Sequence, residues 1–132
     1  MTKNLLIVTA FLEIATGVAL MASPSVVISL LLGTSLDTLG GVTVARVAGA
    51  ALLSLGLACW LARQHGQSGP GRAVVAAMLV YGIATVAVLA HAGLALGATG
   101  IGLWPAVGLH TALGVWCIAC LAHSYGSERT PP

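Results

Sequence analysis

Four predominantly apolar stretches, each close to twenty residues long, dominate this chain and restrict what it can become. They run over residues 4–22, 41–62, 73–95 and 101–122. A helix needs roughly 20 apolar residues to cross the hydrocarbon of a bilayer. Of the 132 residues, 58% are hydrophobic and 6% are charged. A soluble domain carries about a quarter charged residues, so this composition cannot cover a water-facing surface. In lipid it can, because every backbone polar group is satisfied inside a helix and the outer side chains need not be polar. The expected fold class is all-α: an integral membrane four-transmembrane-helix bundle forming a single domain over residues 1–132.

The links between these stretches set the topology. RQHGQSGPGR, residues 63–72, is a polar break between the second and third spans, and GATG, residues 97–100, is a minimal turn between the third and fourth. So short a turn makes those two helices antiparallel neighbours. SPSVVISLLLG, residues 23–33, is apolar but too short to span. Ser23 suits an N-cap, Pro24 the first helical position and Gly33 the helix end. A short interfacial helix over residues 24–32 is expected after the first span. Cleavage of the first span as a signal peptide is disfavoured. Glu13 interrupts its apolar core, and Leu20 stands where a small residue is preferred before the cut.

Charge in short loops orients a membrane protein. Lys3 precedes the first span, Arg63, His65 and Arg72 occupy the second link, and His123, Glu128 and Arg129 follow the fourth span. The 23–41 link has Asp37 and no lysine or arginine. Both termini are therefore expected in the cytoplasm, with the chain in a bacterial inner membrane. Trp104 falls near the outer interface, and Trp60 and Trp116 fall in the inner half. A net charge of +2, scattered, argues against nucleic acid as a partner.

Polar groups inside the spans are costly and usually face the bundle and pair. Between Lys3 and Asp37 the chain keeps one charged residue, Glu13, flanked at helical spacing by Thr9 and Thr16. At about 1.5 Å per residue, Glu13 and His110 match in depth, and Tyr81 lies slightly inside the midplane. Arg46 sits one to two turns below the outer end of the second span, where Arg46, Gly49, Ala50 and Leu53 form a stripe. His91 lies at a similar outer level on the third. These positions suggest a polar cluster of Glu13, Arg46, Tyr81, His91 and His110, with Arg46 reaching down to Glu13. It could bind a ligand headgroup or move a proton. The plainer alternative is a buried ion pair that fixes helix order, with Arg46 alone able to snorkel to the headgroups.

His91 and His110 raise the question of haem, yet they differ in depth by about 7 Å on adjacent helices. That geometry is awkward for two ligands on one iron. No cofactor is therefore expected, with haem and quinone the groups worth considering. CIAC, residues 117–120, has redox-like spacing but sits inside a span, where a thiolate is disfavoured. Cys59 lies at a similar depth. All three cysteines are expected to be small packing residues, and no metal site is expected. No phosphate loop, nucleophile elbow or dinucleotide fingerprint occurs.

VARVAGAALLSLGLACWLAR, residues 44–63, with LWPAVGLHTALGVW, residues 103–116, resembles small bacterial four-helix membrane proteins. The layout resembles that of the DoxX-like group: a proline-bearing interfacial segment after the first helix, then an arginine early in the second. The resemblance implies a four-helix fold and carries over no catalytic residue. Minimal loops and small-residue helix faces favour a non-catalytic accessory or assembly subunit. Its expected partners are membrane lipids and either other membrane subunits or further copies of itself. The alternatives are a binding or carrier protein for a small lipophilic ligand (quinone, isoprenoid or lipid) and a membrane enzyme acting on a lipid or thiol.

Overall fold

The computed structural model describes residues 1–66 and 68–127. Five helices follow in order: α1 (Thr2–Ala22), α2 (Pro24–Leu32), α3 (Leu39–Ala62), α4 (Gly69–Leu94) and α5 (Leu103–Ser127). The described residues contain no strand. Helices α1, α3, α4 and α5 are long and apolar enough to cross a membrane. Their outward faces carry large bare hydrophobics, among them Val47, Leu61, Val80 and Val88, each about two-thirds exposed. Such a belt would be costly in water and is ordinary against acyl chains. The chain is a multi-pass membrane protein built as a four-helix bundle with one short extra helix.

The helix ends follow local chemistry. Thr38 caps α3, its hydroxyl accepting from the Gly41 N–H at 3.1 Å. α4 begins earlier than hydropathy indicates, because Ser68 caps it and Pro70 fits its first turn. Pro105 falls in the first turn of α5, where its missing N–H costs nothing. Gly33 ends α2 in the left-handed conformation at φ 75°. Ser23 occupies the N-cap of α2, but its side chain makes no capping hydrogen bond. Hydroxyls on the spans turn back to their own helix: Ser54 donates to the Ala50 carbonyl at 3.0 Å and Thr111 to the Val107 carbonyl at 2.8 Å. In lipid that is the nearest available partner.

The bundle is two pairs. α1 runs along α3 and α4 along α5, while contacts between the pairs are sparse. The α1–α3 seam is unusually close. A Cβ on Gly17 would fall 2.7 Å from the Gly49 carbonyl oxygen, and one on Gly49 would fall 2.8 Å from the Gly17 carbonyl oxygen. Gly56 likewise meets the Ala10 carbonyl at 3.0 Å. These pairings run antiparallel, as the loop chemistry requires.

The two ends of the bundle differ. At the end holding the N-terminus and residues 63–66, all four spans meet. Leu5, Leu6, Ala10, Cys59, Val75, Met78, Cys117 and Cys120 form one buried core there. At the other end α2 lies against α1, α3 and α5. It holds the α4–α5 turn by its free carbonyls: the Thr99 N–H donates to Leu32 at 3.2 Å and the Gly102 N–H to Leu30 at 2.9 Å. A Cβ at Gly100 would come within 2.3 Å of the Leu31 backbone, so this docking needs glycine. The turn expected over residues 97–100 is thus part of a longer connection that serves as the seat of α2.

Candidate functional site

Where the tight core ends, the two helix pairs part and leave a cavity of about 720 Å³ under α2. α1 supplies Ala15, Thr16, Ala19 and Leu20, and α3 supplies Ala48, Ala51 and Leu52. α2 roofs it with Val27, Leu30 and Leu31. The polar side chains are few: Thr16, Tyr81, Thr85 and His110. Among its described lining residues there is no lysine, arginine, aspartate or glutamate.

Tyr81 is the hinge of the polar floor. Its phenol hydrogen bonds to the Glu13 carboxyl on one side and to the Thr85 hydroxyl on the other. Thr85 is one helical turn beyond Tyr81 on α4, so the pair is set by i, i+4 spacing. The His110 ring meets the Tyr81 ring edge-on, with centroids 5.6 Å apart. Glu13 itself is 3% exposed and lies behind Tyr81, outside the cavity wall. No buried side-chain nitrogen or oxygen among the described residues lacks a hydrogen-bond partner.

Of the five residues the sequence pointed to, three come together: Glu13, Tyr81 and His110. Arg46 does not. It is exposed, and Glu13 has no ion pair among the described residues. The reason is register. The α1–α3 seam closes backbone to backbone at Gly17 and Gly49, and with Gly56 against Ala10 this register puts Arg46 about 10 Å along the bundle from Glu13. Arg46 stands beside that seam on the outside, where the snorkelling alternative applies. Arg46→Gln is therefore expected to change thermal unfolding in detergent by less than about 0.5 kcal/mol. A loss of roughly 3 kcal/mol would instead reveal a buried ion pair.

His91 is also apart. It is exposed and lines a second crevice of about 550 Å³ between α2 and α4, with Ile28, Leu32, Val88 and Leu96 among its neighbours. His91 and His110 thus face different cavities. Cys59, Cys117 and Cys120 are free, buried and packed in the core at the opposite end. Among the described residues no three His, Cys, Asp or Glu side chains are gathered to hold a metal ion. Glu128 and Arg129, used above to orient the tail, lie outside the described residues.

Sequence reasoning missed Thr85 and the α2 roof. Thr85 carries a readable signal, its place one turn after Tyr81. The roof does not, because nothing in SPSVVISLLLG says which way it folds over the bundle.

The fold and its cavity define a class, a four-span helical-bundle membrane protein with a partly open apolar chamber and a polar floor. No family model matches the chain, and comparison with curated proteins and with solved structures gives no match either.

Proposed function

We propose that this protein binds or carries a small lipophilic molecule, taken up in the chamber beneath α2 with its polar end on the floor. One observation carries this reading: an apolar chamber of about 720 Å³ whose polar atoms converge at Tyr81, Thr85 and His110. Mostly apolar lining with a few placed polar groups is the usual build of a small-molecule site. Within the classes the sequence suggested, quinone, isoprenoid and lipid all suit such a chamber.

The accessory-subunit reading drew on small-residue helix faces. Gly17, Gly49 and Gly56 are spent within the chain, on the α1–α3 seam, so the geometry favours the ligand over the docking surface. For an enzyme the chamber offers no buried carboxylate in contact with its contents, since Glu13 stands behind Tyr81. We place the protein in a bacterial inner membrane with both termini cytoplasmic. Lys3, Arg63 and Arg72 support that orientation, and so does the gathering of Met1, Lys3, Arg63 and His65 at one end.

Native mass spectrometry from mild detergent tests the reading. Wild-type protein is expected to carry a bound lipophile through delipidation. Ala51→Phe, which fills the chamber, is expected to lose it at an unchanged unfolding temperature. The same bound mass on both proteins would overturn the proposal. Copurification with a larger complex, and no lipophile, would favour the accessory reading in its place.

A further inference from the structure

The chamber and the α2–α4 crevice share two walls. Leu31 on α2 and Leu89 on α4 line both. These two half-buried side chains stand at the boundary between the two spaces. The crevice has no acidic or basic residue other than His91 among its described lining residues. It lies beside α2, at the same end as the α4–α5 turn.

The floor selects a headgroup by its hydrogen-bond valence. Tyr81 donates its hydrogen to Glu13 and receives one from Thr85, so toward the chamber it offers only acceptor capacity. The His110 imidazole lines the chamber and has no hydrogen-bond partner among the described residues. A neutral imidazole carries one donor and one acceptor. Those atoms are not sealed inside the protein; they open onto the chamber, so their partner is whatever occupies it. The group that answers both residues must donate and accept at once. A hydroxyl does so, whereas an ether, ester or ketone accepts only. A phosphate or carboxylate would need a cation, and the described lining has no lysine or arginine.

We propose that the two spaces form one site for a neutral lipid alcohol. Its hydroxyl sits between Tyr81 and His110, and its single tail passes Leu31 and Leu89 into the crevice under α2. This deepens the chamber reading above and rests on it. The route also gives the ligand a way in from the membrane without opening the tight core at the opposite end.

The test uses full-length protein in lipid nanodiscs and a diazirine analogue of hexadecanol as photoprobe. Labelling is expected to saturate and to map to α2 and α4, the two helices that wall the crevice. Unlabelled hexadecanol is expected to compete roughly tenfold better than hexadecyl methyl ether, the worth of one hydrogen bond. Hexadecyl phosphate and palmitate are expected to compete no better than the ether. Leu89→Trp, or Leu31→Trp should the first not fold, is expected to abolish saturable labelling at an unchanged unfolding temperature.

Equal competition by the ether or the phosphate would overturn the alcohol assignment and leave the chamber reading standing. Undiminished labelling of a folded tryptophan variant would overturn the tail route. Unsaturable labelling spread over lipid-facing residues would overturn both this inference and the chamber reading. The headgroup comparison is made on wild-type protein, so it does not depend on any variant folding.

Discussion

Gly49→Leu is expected to destabilise the bundle by about 2–3 kcal/mol, the cost of overpacking a closed contact. A Cβ there would meet the Gly17 carbonyl oxygen at 2.8 Å and Leu20 and Met21 side-chain atoms at 3.0 Å. The first of these is backbone and cannot rotate away. The facing site is reciprocal, since a Cβ on Gly17 would meet the Gly49 carbonyl at 2.7 Å and the Leu53 N–H at 2.9 Å. Relief therefore requires the helices to separate along the seam. In lipid no hydrophobic force draws them back, because acyl chains are as apolar as leucine; close packing is what holds them. Even Gly49→Ala is expected to lower the unfolding temperature in detergent, and Leu should lower it further. Gly108→Leu is the control. It has no heavy atom within 4 Å of its would-be Cβ, and it trades a poor helix former for a good one. A Gly49 variant as stable as the Gly108 variant would show that the seam does not close at these residues.

That seam also explains what the sequence did and did not disclose. Four spans and a short helix were legible because hydropathy and length are properties of each segment alone. The pairing of Glu13 was not. Arg46 has the right charge, but rise along each helix does not fix the register between two of them, and the seam sets Arg46 about 10 Å from the level of Glu13. Rotation about the helix is set by which residues pack, and here glycines decide it. Gly17, Gly49 and Gly56 close the face between α1 and α3, and Arg46 is left outside. His91 was misplaced for a related reason. It shares a helix with Tyr81, yet α2 folds over the bundle end and divides the space there into a chamber and a crevice. Glu13, Tyr81 and His110 were found because all three lie near one depth and a buried acid needs a donor. The cysteines, with a spacing that suggests redox chemistry, lie in the packed core. Small size at the place where all four spans meet accounts for them.

Tyr81→Phe isolates the one hydroxyl on which the buried acid depends. The substitution keeps the ring, hence the edge-on contact with His110 and the filling of the floor. It removes the donor to Glu13, which is 3% exposed and has no ion pair among the described residues. Leaving a buried polar group unsatisfied costs more than a hydrogen bond contributes, so a loss of about 2 kcal/mol is expected. Replacing both partners by apolar groups of similar shape is close to neutral. The double variant Glu13→Leu with Tyr81→Phe should accordingly recover most of that loss. This non-additivity separates a satisfied pair from two independent packing residues, whose effects would simply add. Unfolding in detergent, followed by helical circular dichroism for the wild type, both single variants and the double variant, measures it. Additive losses would mean that the phenol does not serve the acid. A Tyr81→Phe protein as stable as wild type would mean that water from the chamber replaces the phenol. In that case the floor is wetter than the hydroxyl-selective site requires.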